Sequence, residues 1–568
     1  MYKTTYEEWL VEESLDSELK KELKEIINEE EISDRFYQNL AFGTGGLRGK
    51  MGVGTNRMNV HTVGKVTQGL ANYLNTNFKN PSVTIGYDSR NKSDVFAEMA
   101  ARVLVANKVK VYLFEGLRPT PMVSFAIRYT KSDAGIVITA SHNPKMYNGY
   151  KVYGPDGGQL TDNAANETLD YINKLDIFKD VKVVSKEEAE KSGLLEYIGK
   201  EVDDAYYNKV AELCVRKELI KQKAKDLKII YTPIHGSGNI PVRELLKRLG
   251  FTDVTIVAEQ ELPNGDFPTA PYPNPEIRQV FELAIELAKK QHPDVIFGTD
   301  PDCDRIGVVV NTGDDYKVLT GNQVGILLTD YLLGARKDEG KLETKDAIIK
   351  TIVTSDMTQV ICDYYGVQMF DVLTGFKYIG ERIKEFLETG SNNFVLGFEE
   401  SYGYLAGDFV RDKDAVIASV LIAEMALYYK TQGKNLFQAL EDLYKKHGYF
   451  VEDLLSIEME GQSGQEKIKE IIDNLRKNPP KQIGDNKIVT LADYGVRKSY
   501  DLESGKETPI NLPSSNVLKF ILEDKSWFVV RPSGTEPKMK VYFSVRGKTR
   551  EEAQNKVEQL KKDVQKLI

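Results

Sequence analysis

Short β-branched, apolar runs alternate along this chain with longer stretches whose apolar positions recur at helical spacing. Ser82–Gly86 reads as a buried strand and Ser93–Ala106 as the helix that follows it, with further strands at Val109–Phe114 and Gly135–Thr139. Such a rhythm predicts a mainly parallel sheet covered by helices on both faces. It restarts twice. Lys228–Tyr231 is followed by a helix at Val242–Leu249, a strand at Val254–Val257, a long helix near Ile277–Lys290 and the strand Val295–Phe297. A third start runs from the strand Ala347–Val353, through a helix entered at Ser355-Asp356, to the strand Gln368–Leu373. Beyond about residue 450 the pattern changes. Leu454–Met459, Trp527–Arg531 and Lys540–Arg546 read as antiparallel strands closed by a helix at Glu551–Leu567.

The predicted fold is therefore α/β: three tandem, similar, mixed α/β domains, then a smaller α+β domain. The boundaries fall at 1–205, 206–318, 319–450 and 451–568. A length of 568 residues agrees with about four domains at roughly 150 residues each.

Composition narrows the function classes. The net charge of −9 disfavours nucleic acid and anionic lipid as partners. No stretch approaches the roughly 20 apolar residues a membrane span needs. Met1–Glu31 is acidic and amphipathic and does not read as a secretory signal, so a cytoplasmic location is expected. Cys214, Cys303 and Cys362 are far apart, without metal-ligand spacing, and read as reduced thiols.

Four loops carry the candidate chemistry. Asp300-Pro301-Asp302-Cys303-Asp304-Arg305 leaves the end of a predicted strand with carboxylates at alternate positions, a pattern suited to one hard cation. Carboxylates crowded in this way raise one another's pKa unless a cation is present. Thr139-Ala140-Ser141-His142-Asn143-Pro144 also ends a strand and offers a hydroxyl beside an imidazole. Phe398-Glu399-Glu400-Ser401-Tyr402-Gly403 offers acceptors and a hydroxyl to vicinal sugar hydroxyls. Arg531-Pro532-Ser533-Gly534-Thr535-Glu536-Pro537-Lys538 has the arginine, hydroxyls and glycine of an anion-binding nest. An additional Gly-rich loop spans Phe42–Gly49, but it follows a polar helix and lacks dinucleotide spacing. Gly547-Lys548-Thr549 has Tyr542 where a P-loop needs glycine.

These loops, in this order and one per domain, resemble the α-D-phosphohexomutase superfamily over nearly the whole chain. Thr269–Glu276, Gly298–Asp302 and Thr374-Gly375-Phe376-Lys377 are similar to the branch that contains bacterial α-phosphoglucomutases and animal phosphopentomutase. Pro301, where the family usually has glycine, is shared by that branch. The resemblance implies a mutase whose four domains surround a central cleft, with a fourth domain that can swing. It implies that Ser141 carries the phosphoryl group and that Asp300, Asp302 and Asp304 hold one Mg2+, which takes a phosphate oxygen on Ser141 as a further ligand. Arg48, Lys151 and Arg305 would surround the transferring group, with Lys151 or His142 as proton carrier. Thr44 would bind substrate, Lys377, Glu399 and Ser401 the sugar, and Arg531, Ser533, Gly534 and Thr535 its other phosphate.

The implied reaction interconverts glucose 1-phosphate and glucose 6-phosphate through glucose 1,6-bisphosphate, which also acts as activator. Small sugar phosphates would be the partners, and the protein a monomer or homodimer. Phosphopentomutase or phosphomannomutase activity by the same mechanism is the nearest alternative. A sugar-bisphosphate synthase, a metal-dependent phosphatase and a catalytically idle phosphosugar sensor are more distant.

Overall fold

The computed structural model describes residues 2–43, 45–459, 461–532 and 538–568, with side chains omitted at 461–463. It divides into two compact units. The first comprises Met1–Leu319, Gly380–Thr389 and Tyr402–Asn435; the second comprises Thr320–Ile379, Gly390–Ser401 and Leu436–Ile568.

In the first unit, strands β1 (Leu47–Lys50), β2 (Ser82–Tyr87), β3 (Lys110–Phe114), β4 (Ala134–Ile138), β5 (Tyr147–Tyr153) and β6 (Leu195–Ile198) form a sheet of order β1-β5-β4-β2-β3-β6. β2, β3, β4 and β6 run parallel, whereas β5 pairs antiparallel with both β4 and β1. All five residues of β4 are buried, as expected of a strand covered on both faces. Gly149 in β5 faces the backbone on both sides: an added Cβ would lie 2.5 Å from Thr139 O and 2.9 Å from Leu47 O. Its missing side chain lets β1, which carries Arg48, and the end of β4, which leads to Ser141, close on one strand. The helix Val60–Asn77 starts from a reciprocal cap between Asn59 and Thr62.

A second sheet of the same unit contains β7 (Ile229–Thr232), β8 (Val254–Ile256), β9 (Val295–Thr299), β10 (Ile306–Asn311) and β11 (Tyr316–Leu319), in the order β11-β10-β9-β7-β8. The helix expected near Ile277–Lys290 begins later. Arg278–Phe281 is a 3-10 turn and the α-helix is Glu282–Gln291, since Pro275 and the Asn274 side chain, which accepts from Glu276 N at 3.1 Å, hold the preceding residues in a turn. Helix Ala415–Thr431, buried from Ala415 through Leu427, also belongs to this unit. Apart from Ser419 and Glu424, both buried, it is apolar on every face through Leu427, the pattern of a helix inside a core.

In the second unit β12 (Asp346–Thr351) pairs in parallel with β13 (Gln368–Val372) and β14 (Asn393–Glu399). The C-terminal sheet is antiparallel, with Trp527–Pro532 between Leu518–Leu522 and Lys538–Gly547 and the helix Arg550–Leu567 packed on it. Trp527 Nε1 donates to Asp356 Oδ2 at 2.8 Å and Lys519 Nζ to Ile352 O at 2.9 Å, which ties this sheet to the segment after β12.

Candidate active site

Two loops of the first unit leave the C-terminal ends of β4 and β9, the edge at which α/β sheets bind ligands. The β4 loop presents Ser141, buried and held at φ +52 in the left-handed region. Its hydroxyl donates to Asp300 Oδ2 at 2.9 Å and lies 3.2 Å from His142 Nδ1. Desolvation, and then the charges of Arg305 and Arg48, holds His142 well below the usual imidazole range, so the ring is neutral at pH 7. Arg48, on β1, donates to Asn143 Oδ1 at 2.8 Å and so reaches the same loop.

The β9 loop holds Asp300, Asp302 and Asp304, all essentially inaccessible, with candidate ligand oxygens within 4.8 Å of one another. Three of its carbonyls are turned outward onto backbone donors. Pro301 O accepts from Ser237 N, Asp302 O from Thr120 N and Cys303 O from Ala415 N. Gly236 backs Pro301 so closely that a Cβ would fall 2.6 Å from its Cα. The carboxylates consequently converge. Lys151, on β5, lies 2.8 Å from Asp302 Oδ2 and 3.2 Å from Asp304 Oδ2, while Lys413 lies 3.2 Å from Asp304 Oδ2. Arg305 pairs with Glu276 at 2.8 Å, its Nε 3.9 Å from Asp304 Oδ1.

Burial, then the neighbouring Asp302 and Asp304, pushes the Asp300 carboxyl well above its ordinary range. Burial would raise Asp302 as well, but the charge and hydrogen bond of Lys151 hold it below. Burial opposes the charge on Lys151, and Asp302 and Asp304 outweigh it, so the ammonium is retained at neutral pH. Three carboxylates thus face two ammonium groups. Asp302 Oδ1 and Asp304 Oδ1 are buried without a hydrogen-bond partner. Unsatisfied buried acceptors cost about 1–3 kcal/mol each, and a cation bound by oxygen would satisfy both. The donor set fits a hard divalent ion.

The second unit contains the other described candidates. Glu399, at the end of β14, is buried and accepts from Gly375 N at 2.9 Å, joining the Phe398–Ser401 loop to Thr374–Lys377. Lys377 is the second residue of the helix Phe376–Thr389, its ammonium 4.7 Å from the centroid of the Tyr378 ring. Glu400 accepts from the hydroxyls of Thr351 and Thr354, both at 3.2 Å, and burial followed by Glu399 pushes it up to about 7. Ser401 follows, half-buried. Arg531 stands opposite Lys540 on the adjacent strand, two cations side by side. Thr44, Ser533, Gly534 and Thr535 lie outside the described residues.

Three features of the first unit escaped the sequence reading. Lys413 reaches the acidic loop from the segment before the buried helix, where Arg411-Asp412-Lys413-Asp414 packs four charges against an apolar run. Thr120 donates its hydroxyl to Asp302 Oδ2 at 2.9 Å. Asp88 and Arg90 follow β2 at the same sheet edge as Ser141, a position that could have singled them out.

Models of phosphoglucomutase/phosphomannomutase alpha/beta/alpha domains I, II and III and of the C-terminal domain match residues 39–177, 204–313, 320–447 and 485–562 in order. The chain is also 38% identical over 532 residues to a phosphoglucomutase of Staphylococcus epidermidis, covering 94% of this chain and 95% of that one.

The chain belongs to the phosphoglucomutase/phosphomannomutase family.

A phosphoglucomutase of Staphylococcus aureus is 36% identical across 98% of both chains. In fold the chain is similar to parafusin, a phosphoglucomutase of Paramecium in its open form, at TM-score 0.67 and 18% identity over 93% of this chain and 96% of that one. The expected architecture of this family, three α/β domains and a C-terminal domain, is present. No helix among the described residues is long and apolar enough to cross a membrane.

Proposed function

We propose that this enzyme is a phosphoglucomutase that interconverts glucose 1-phosphate and glucose 6-phosphate, with Ser141 as the phosphate carrier and glucose 1,6-bisphosphate as intermediate and activator. The observation that carries the reading is the Ser141 hydroxyl, buried 2.9 Å from Asp300 at the edge of a triad with two unsatisfied carboxylate oxygens. Phosphoserine breaks its P–Oγ bond as the free sugar hydroxyl forms a new P–O bond, and the hydroxyl proton ends on Ser141 Oγ. Reversal through the other phosphate of the bisphosphate completes the exchange.

Asp300, Asp302 and Asp304 would hold one Mg2+, which supplies charge stabilisation to the phosphoryl oxygens when bound. His142, neutral and 3.2 Å from Oγ, suits the proton at the serine end. Lys151 keeps its charge and, with Arg48 and Arg305, stabilises the loose transition state. Glu399, Ser401 and Lys377 are assigned to the sugar, and Arg531 with Ser533, Gly534 and Thr535 to the resting phosphate. Membership of the family supports small sugar phosphates as partners and a cytoplasmic site of action.

The test supplies glucose 1-phosphate, magnesium and a trace of glucose 1,6-bisphosphate, and follows the products. Glucose 6-phosphate at equilibrium proportion is expected. Free phosphate as the main product would replace the mutase with a phosphatase.

A further inference from the structure

Arg90 lies just beyond β2, its side chain wholly inaccessible. Its guanidinium donates to the main-chain carbonyls of Ser141, Asn143, Pro144 and Tyr147, the last two at 3.0 and 3.1 Å. It also lies over the Phe267 ring, 5.1 Å from the centroid. Arg90 Nε is 3.3 Å from Asp88 Oδ2. That carboxylate oxygen accepts from Thr139 Oγ1 at 2.7 Å, and Thr139 Oγ1 in turn accepts from Ser141 N at 2.8 Å. Asp88 Oδ1 is taken by Arg90 N and Ser93 Oγ at 2.9 and 2.8 Å.

The serine loop is therefore held from both polarities. Its carbonyls converge on one planar donor, while the Ser141 amide rests on a hydroxyl fixed by the counter-ion of that same donor. A lysine, a point charge with three rotatable donors, cannot reproduce this planar fork. Arg90 and Asp88 balance each other's charge and meet the loop through its backbone and Thr139 rather than through Ser141 Oγ. This arrangement suits a loop whose serine changes by about two negative charges on phosphorylation. Such a change would drag on a holder that relied on the serine side chain, and leaves a backbone holder in place.

We propose that Asp88 and Arg90 are positioning residues that, through Thr139 and the loop carbonyls, keep Ser141 Oγ aligned for phosphoryl transfer in both its free and phosphorylated forms. The inference rests on the reading of Ser141 as phosphate carrier.

The experiment uses the full chain and the variants Arg90→Lys, Thr139→Val and Thr139→Ser. It measures kcat and KM for glucose 1-phosphate, the rate of protein phosphorylation by glucose 1,6-bisphosphate from intact mass, and thermal melting. Arg90→Lys and Thr139→Val are expected to lose about thirtyfold or more in kcat and in phosphorylation rate, within the range for a reacting group misplaced by about 1 Å. KM should stay within roughly threefold, because ground-state binding is untouched. Thr139→Ser, which restores the hydroxyl, should recover most of kcat. If Arg90→Lys does not fold, the Thr139 pair decides. Near-wild-type kcat in Thr139→Val, or an equal loss in Thr139→Val and Thr139→Ser, overturns the inference. So does a kcat loss matched by an equal rise in KM and a collapse of melting temperature. Peptide mapping of the phosphorylated wild type separates the two readings: phosphate on a residue other than Ser141 removes the functional reading, whereas phosphate on Ser141 with unimpaired variants removes only the positioning role.

Discussion

A serine hydroxyl is a weak nucleophile on its own, and the proposed role of Ser141 depends on its neighbours. Its proton is directed at Asp300, its imidazole neighbour is kept neutral by desolvation and two guanidinium groups, and its backbone is held in the left-handed region. Replacing Ser141 with Ala deletes one hydroxyl without opening the core. Turnover should fall by roughly 10³-fold or more while the melting temperature barely moves, checked by assay and circular dichroism together. Asp302 makes a second prediction at this scale. One of its oxygens is engaged by Lys151 and Thr120 and the other is unsatisfied. Asp302→Asn keeps the shape but removes the charge, so magnesium affinity measured by calorimetry should fall by about tenfold or more, equivalent to about 1.4 kcal/mol. Unchanged affinity would remove Asp302 from the ligand set. Both residues stand out as candidates in the sequence because strand-end position and residue type coincide. Lys413 was not, because its contact with Asp304 spans over a hundred residues and depends on how a separate helix docks.

That helix, Ala415–Thr431, couples a buried carboxylate to the stability of a whole element. Asp414 caps it by accepting from Ile417 N at 2.8 Å, and the Tyr206 hydroxyl donates to both of its oxygens. These bonds and the helix N-terminus favour the charged carboxylate. Burial opposes them more strongly and pushes the carboxyl up to about 7. A folded pKa above the unfolded value means the native state binds the proton more tightly. This contribution to stability is complete below about pH 4 and is lost as pH rises through about 7; every tenfold difference in proton affinity between the folded and unfolded chain is worth about 1.4 kcal/mol. Asp414→Asn keeps a capping oxygen and abolishes the titration. Its melting temperature should therefore decline less than wild type between pH 5 and 8; parallel profiles would contradict this account. Strand and helix order were legible because period and turn residues agree along the chain. The allegiance of Tyr402–Asn435 to the first unit was not, since apolar periodicity says that a helix is buried without saying against what.

For the molecule as a whole, the proposed function assigns the phosphoryl chemistry to one unit and substrate recognition to the other. Ser141, the acidic triad, Lys151 and Lys413 belong to one compact unit, whereas Lys377, Glu399, Ser401 and Arg531 belong to the other. A change confined to the second group should consequently alter substrate affinity without altering the metal site. Lys377→Ala is expected to raise KM for glucose 1-phosphate and glucose 6-phosphate by about tenfold, while magnesium affinity stays within about twofold. In the proposed function the same group also sets the preference among sugars. Glu399 is buried and already accepts from Gly375 N, so its remaining acceptor capacity is directional. A sugar that inverts or lacks the matching hydroxyl leaves that capacity unpaired, a larger penalty than a loss of apolar contact. Glucose 1-phosphate should accordingly have the highest kcat/KM, with mannose 1-phosphate below it and ribose 1-phosphate the closest competitor. The three are compared side by side with one activator and one magnesium concentration. A pentose phosphate favoured by tenfold, about 1.4 kcal/mol of transition-state discrimination, would reverse the proposed substrate while leaving the phosphoserine chemistry intact.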